Sequence, residues 1–144
     1  MLIGQYEHTL DPKKRLSLPA KWRKELGKKV VVTNGLDNSL FIYPQKEWER
    51  VAEKLSELSF GQSKSRGFNR FILSGAVEID IDAAGRILIP DFLKEFAKLS
   101  DKVVLAGIHT RAEIWDASTW EAYRKEVAQG ADALAETLGE IGMI

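Results

Sequence analysis

The sequence predicts an α+β fold with a mainly β core, assembled from two tandem copies of one hairpin-bearing unit and flanked by helices. Three observations predict it: an internal repeat, period-two hydrophobic alternation around two turn segments, and helical stripes after each copy. The repeat carries the most weight. A shift of 71 superposes Gly4 on Gly75, Glu7 on Glu78, Asp11 on Asp82, Arg15 on Arg86 and Pro19 on Pro90. Leu10 then meets Ile81 and Leu16 meets Ile87. With one inserted residue, a shift of 72 superposes Val31 and Val32 on Val103 and Val104, Gly35 on Gly107, Ile42 on Ile114, Tyr43 on Trp115 and Trp48 on Trp120.

Each copy reads in the same order. Tyr6, His8 and Leu10, like Val77, Ile79 and Ile81, alternate as a half-buried strand does. Residues 11–14 and 82–85 are turns, and Gly85 supplies the positive φ that a short hairpin loop with a bulge requires. Leu16 and Leu18, or Ile87 and Ile89, resume the alternation. Pro19 and Pro90 end those strands and suit the first turn of short helices over 20–26 and 91–97. Residues 30–33 and 103–106 are apolar enough for buried strands, and 39–43 and 112–115 complete the units. Trp48, Val51, Ala52, Leu55 and Leu58 then lie on one helical stripe, as do Trp120, Tyr123 and Val127. Phe68, Phe71 and Ile72 mark a helix in the connection. Ala131, Leu134, Leu138 and Ile141 mark another after Gly130.

The expected organisation is therefore a first unit at 4–47, a helical connection at 48–74, a second unit at 75–119 and a helical end at 120–144. A unit of roughly 45 residues is too small for a comfortable core of its own. The two units are expected to share one core about a pseudo-twofold axis, with both turns on one face.

Composition narrows the function. The chain has 144 residues, 21 basic and 21 acidic, and no cysteine. Disulfides, thiolate metal sites and a cysteine nucleophile are excluded. No apolar run reaches the roughly 18 residues of a membrane helix. The first ten residues lack a basic n-region, so no signal peptide is expected and the expected compartment is the cytoplasm. Zero net charge conceals local excess: residues 11–29 hold eight basic and two acidic side chains, and 59–74 hold Lys64, Arg66 and Arg70 with no acid. From residue 113 onward acids outnumber bases seven to two. A binding face responds to the local field rather than to the sum.

The most faithfully repeated element is Asp-x-x-x-Arg with a following proline: Asp11, Arg15 and Pro19, then Asp82, Arg86 and Pro90. An Asp at the head of a tight turn accepts backbone N–H bonds and holds the loop. The same carboxylate orients the guanidinium beyond the turn, and a planar guanidinium so held suits two parallel bonds to guanine O6 and N7. In one copy a purely structural ion pair is the simpler reading. Duplication, with Lys13 and Lys14 beside the first turn, favours a DNA reader. Because Lys14 stands where the second copy has Gly85, the first turn is expected to differ in geometry. The basic first unit is expected to supply more of the phosphate contact.

Asp82-Ala83-Ala84-Gly85-Arg86-Ile87-Leu88-Ile89-Pro90 resembles the hairpin of the AbrB/SpoVT swapped-hairpin DNA-binding domains. Two copies in one chain, separated by Ser65-Arg66-Gly67-Phe68-Asn69-Arg70-Phe71 and opened by Met1-Leu2-Ile3-Gly4-Gln5-Tyr6, resemble the MraZ family of transcriptional regulators over essentially the whole chain. The resemblance implies an intramolecular pseudo-dimer barrel and a cytoplasmic, nucleoid-associated bacterial protein. It further implies binding of double-stranded DNA at short direct repeats in the promoter of a cell-division and cell-wall operon, and assembly of copies into a ring-shaped homo-oligomer. Its functional pairs fall on Asp11 with Arg15 and on Asp82 with Arg86. Lys13 and Lys14 are the added DNA-binding candidates, and Asp11, Asp82 and Gly85 the residues that shape the turns.

Other constellations are weaker. Glu78, Asp80 and Asp82 share one face of a strand, but His8 and His109 occupy non-equivalent positions and neither stands at ligand spacing. No metal, cofactor or small-molecule substrate is expected. No phosphate loop or nucleophile motif is present, so no enzyme is expected. Arg66 and Arg70 share a helical face and could touch phosphate, but the favoured expectation is that they pair with acids such as Glu53 or Glu57. Two other readings remain open on the sequence: an oligomeric scaffold without sequence-specific DNA contact, motivated by the Trp48 and Trp120 stripes, and an antitoxin-like module of the same fold.

Overall fold

The strands pair as the swapped-hairpin resemblance implies: each unit contributes its first strand to the sheet of the other. The computed structural model describes every residue from Met1 to Ile144. Strand β1 (Leu2–Thr9) leads through the first turn to β2 (Arg15–Ser17), a 3-10 turn (Ala20–Trp22), helix α1 (Arg23–Leu26), β3 (Lys29–Asn34) and β4 (Leu40–Pro44). Helices α2 (Gln45–Ser56) and α3 (Ser63–Ser74) form the connection. The second copy repeats the order as β5 (Val77–Asp80), β6 (Arg86–Leu88), α4 (Asp91–Phe96), β7 (Lys102–His109) and β8 (Arg111–Asp116). Helices α5 (Ala117–Gln129) and α6 (Ala131–Glu140) end the chain.

The six longer strands form an antiparallel sheet in the order β1-β7-β8-β4-β3-β5, while β2 and β6 pair as a separate two-stranded ribbon. Strand β1 thus pairs with β7 of the second unit, and β5 with β3 of the first. Within each turn the arms are bridged by Asp11 N–H to Arg15 O at 3.1 Å and by Asp82 N–H to Arg86 O at 2.9 Å. The ladder has β1 and β5 as its edges. The ribbon packs into the same core, to which Leu16, Leu18, Val30 and Val32 of the first unit and Ile87, Ile89, Val103 and Leu105 of the second contribute. Trp22 anchors one end, its ring edge-on to Tyr6 at 5.2 Å and its Nε1 donating to Ile3 O at 3.1 Å.

The pairing also corrects the alignment of the repeat. Val31 sits opposite Glu78, and Val104 opposite Glu7, so Val31 corresponds to Val104 and the offset in these strands is 73. A shift of 72 would have put core-facing Val30 and Val32 in register with residues of the opposite face, because strand side chains alternate. Tyr43 and Trp115, opposite Val31 and Val104, restore the offset of 72. The register changes because the loop from Asn34 to Leu40 is one residue longer than its counterpart.

The tryptophan stripes serve the chain itself. Trp48 of α2 packs on Tyr43 at 5.6 Å, and Trp120 of α5 packs on Trp115 at 5.3 Å while its Nε1 donates to Gln5 Oε1 at 2.7 Å. Helix α3 is tied to β3, with Thr33 Oγ1 donating to Ile72 O and Asn34 Nδ2 to Phe71 O. Arg66 and Arg70 do not pair with Glu53 or Glu57. Arg66 Nη1 donates instead to Phe60 O at 2.9 Å, and Arg70 is exposed. No helix is long and apolar enough to cross a membrane.

Candidate nucleic-acid interface

The two turns and the ribbon between them form one surface. In the first turn Asp11 Oδ1 accepts the backbone N–H groups of Lys13 at 2.9 Å and Arg15 at 2.8 Å. In the second, Asp82 Oδ1 accepts those of Ala84 at 3.0 Å and Arg86 at 2.9 Å. The second oxygen of each carboxylate takes the arginine: Arg15 Nε donates to Asp11 Oδ2 at 2.7 Å, and Arg86 Nε to Asp82 Oδ2 at 3.0 Å. Backbone N–H donation, foremost from Arg15 and Arg86 themselves, holds both carboxyls below the ordinary 3.8, outweighing the opposing effect of burial. The carboxylates therefore remain charged, and the guanidiniums oriented, throughout the neutral range.

Holding each arginine through Nε leaves its two terminal nitrogens without a hydrogen bond inside the protein. Each side chain is about a third exposed, 35% for Arg15 and 34% for Arg86. Both are half-buried on the strand that follows the turn, with the charged end still open.

The ribbon fixes how the two arginines stand to one another. Arg15 is opposite Leu88, Leu16 opposite Ile87, and Ser17 opposite Arg86. Leu16 and Ile87 are fully buried, so Arg15, Ser17, Arg86 and Leu88 form the outward face. The turns embrace each other symmetrically: Leu18 N–H donates to Gly85 O and Ile89 N–H to Lys14 O, both at 2.9 Å. The arginines are consequently diagonal partners about the pseudo-twofold.

The expected difference in turn geometry is not found. Lys14 adopts φ of +62° and Gly85 of +81°, and the closing bonds, Lys14 N–H to Asp11 O and Gly85 N–H to Asp82 O, are both 2.9 Å. Lys14 thus carries the left-handed backbone that Gly85 adopts freely, at a cost of about 1 kcal/mol. What differs is the company each turn keeps. Lys14 Nζ is ion-paired with Asp91 at the start of α4. Gly85 leaves room for the guanidinium of Arg23, which lies against it where any side chain would collide, and whose Nη2 approaches Leu18 O at 3.4 Å.

Counting these groups changes the electrostatic picture. Lys13, Lys14 and Arg15 against Asp11 and Asp91 leave one positive charge at the first tip. Arg86 and the borrowed Arg23 against Asp82 leave one at the second. The neutral composition of residues 82–102 concealed this, because Arg23 belongs to the other unit. Lys13 is exposed, as a phosphate ligand must be. Elsewhere, Glu78 and Asp80 both lie 3.8 Å from Lys29 Nζ, a solvated ion-pair cluster on the β3–β5 edge.

Exchanged first strands, a shared core and an arginine-bearing ribbon define a protein built from two tandem swapped-hairpin units. The sequence model of the family described as "MraZ protein, putative antitoxin-like" matches residues 1–71 and again 72–139. The chain is 49% identical over 138 residues to the transcriptional regulator MraZ of Caldanaerobacter subterraneus subsp. tengcongensis, covering 96% of each protein. It is 48% identical to that of Moorella thermoacetica, again over 96% of each. It is 46% identical to that of Oenococcus oeni, over 99% of this chain and 100% of the relative. The chain belongs to the MraZ family of transcriptional regulators.

Proposed function

We propose that this regulator reads double-stranded DNA by laying the β2–β6 ribbon in the major groove, with Arg15 and Arg86 each forming a bidentate contact to a guanine. The observation that carries this reading is the pair of outward guanidiniums, each held by a carboxylate at Nε with both terminal nitrogens free. A major groove about 12 Å wide admits a two-stranded ribbon, and a guanidinium fork matches guanine O6 and N7. Lys13 and Arg23 flank the ribbon and contact phosphate, with Lys14 contributing less because Asp91 takes up its charge. Asp11, Asp82 and Gly85 shape the turns. The targets are short direct repeats in the promoter of a cell-division and cell-wall operon, and the protein acts in the cytoplasm on the nucleoid.

Titration against promoter-repeat and scrambled duplexes across a salt series tests the reading. Specific binding is expected to exceed scrambled binding. Log affinity should fall steeply with log salt, each phosphate contact adding about 0.9 to the slope. Lys13→Ala should flatten the slope by about one per engaged tip, and Lys14→Ala by less. Equal affinity for both duplexes, or no dependence on salt, would remove the reading.

Assembly with further copies of the chain is the second part of this proposal. Its support lies in α5 and α6 rather than in the tryptophans, which are satisfied internally. Tyr123, Val127, Leu134, Leu138 and Ile141 are all exposed, and Tyr123, Val127 and Leu134 line an open groove of about 420 Å³. Such an apolar face is larger than isolated surface leucines require. Light scattering is expected to report an oligomer for the whole chain and a smaller species after truncation at Gly130. A full-length monomer at micromolar concentration would contradict it.

A further inference from the structure

The outward face of the ribbon breaks the pseudo-twofold at one pair of positions. Arg15 and Arg86 correspond to each other, but Ser17 corresponds to Leu88. Leu88 is 56% exposed on a ribbon whose other outward residues, Arg15, Ser17 and Arg86, are polar or charged. It stands opposite Arg15, so their Cβ atoms are roughly 5 Å apart. It also opens onto a groove of about 470 Å³ whose walls include Pro12, Lys13, Lys14 and Asp91. An apolar side chain bordered by Arg15 and Lys13 is poorly suited to water and poorly suited to an apolar protein partner, which would have to bury those cations.

We propose that Leu88 contacts the C5-methyl group of a thymine beside the guanine held by Arg15, making the ribbon's site directional. This rests on the ribbon reading given above. The surrounding cations fit a polyanion, and the one apolar group that base edges present in the major groove is the thymine methyl. At a base-pair rise of 3.4 Å, a side chain roughly 5 Å from Arg15 lies one to two base pairs away. At the other diagonal position Ser17 presents a hydroxyl beside Arg86, which accommodates either a donor or an acceptor. Two equivalent arginines would alone read a symmetric site. Leu88 on one side and Ser17 on the other fix which way round the protein sits.

The test uses duplexes enriched from a randomised pool by the full-length protein, in which each thymine is replaced in turn by uracil. The replacement removes only the methyl group. Wild type is expected to lose about three- to fivefold in affinity at one thymine within two base pairs of a required guanine, the effect of one buried methyl. Leu88→Ser, which makes the face match Ser17, should bind thymine and uracil duplexes equally while keeping its melting temperature and its dependence on Arg15 and Arg86. A selected motif without such a thymine, or wild-type affinity unchanged by every uracil, overturns the assignment. So does uracil sensitivity retained in Leu88→Ser. If Leu88→Ser instead changes the mass in light scattering with methyl sensitivity intact, Leu88 belongs to a contact between copies. These outcomes leave the ribbon reading standing, whereas a pool that yields no enriched sequence removes both.

Discussion

Replacing Arg15 and Arg86 together with alanine is expected to abolish most discrimination between specific and scrambled DNA while leaving the fold in place. Each bidentate arginine–guanine contact is worth about 1–3 kcal/mol of discrimination, so each variant alone should lose roughly tenfold or more. The double variant should lose the product of the two, and an oligomer presenting several ribbons at once would multiply the loss further. Stability should fall only modestly, because each Asp–Arg pair is exposed enough to be screened and the turn is held chiefly by backbone donors. Replacement by lysine restores charge without the planar fork, so it should recover affinity for any duplex and not the preference. The measurement is the ratio of specific to scrambled affinity in each variant beside its melting temperature. A folded double-alanine variant with the wild-type ratio would show that other groups read the bases.

The fold and half of the site were legible in the sequence because they depend on local pattern. Alternation located the strands on either side of the turns, apolar runs located β3 and β7, prolines located the short helices, and the repeated Asp-x-x-x-Arg located both turns. Strand exchange was legible only through the family resemblance, because it is a choice of partner rather than of conformation. The alternation of Tyr6 and His8 fits an edge of either unit's sheet equally well. The register of β3 against β7 escaped for a related reason, since Val30 to Val32 and Val103 to Val104 are apolar on both faces and match at more than one offset. Lys14 misled because its side chain disfavours the left-handed backbone that its position in the cross-bonded ribbon imposes. Arg23 and Leu88, which the proposed interface includes, were not singled out by the sequence. Arg23 reaches Gly85 across the pseudo-twofold, which no spacing within one unit reveals. Leu88 does leave a signal, as the one apolar residue aligned with a serine at an outward strand position, once the faces of β2 and β6 are assigned.

Severing the chain in the exposed segment between α2 and α3, residues 57–62, should leave neither half able to fold as a monomer. The first half would keep β3 and β4 as its only paired strands. Its β1 would lack β7, its β2 would lack β6, and the far edges of β3 and β4 would lose β5 and β8. The second half would likewise keep only β7 with β8. A lone two-stranded hairpin is at best marginal in water, and each half would expose the side of the shared core that the other covers. Fully buried residues such as Leu16, Val30, Ile87 and Leu105 each lose about 1.5–3 kcal/mol when returned to water. Several such losses exceed the 5–15 kcal/mol that keeps an ordinary domain folded. Each half alone is therefore expected to be unstructured, or to pair with a second copy of itself so that a true twofold replaces the approximate one. Coexpressed halves should associate one to one and recover the circular-dichroism spectrum and DNA preference of the intact chain. A half that sediments as a monomer with a cooperative melting transition would overturn the shared core, and with it the account of why the two arginines meet on a single ribbon.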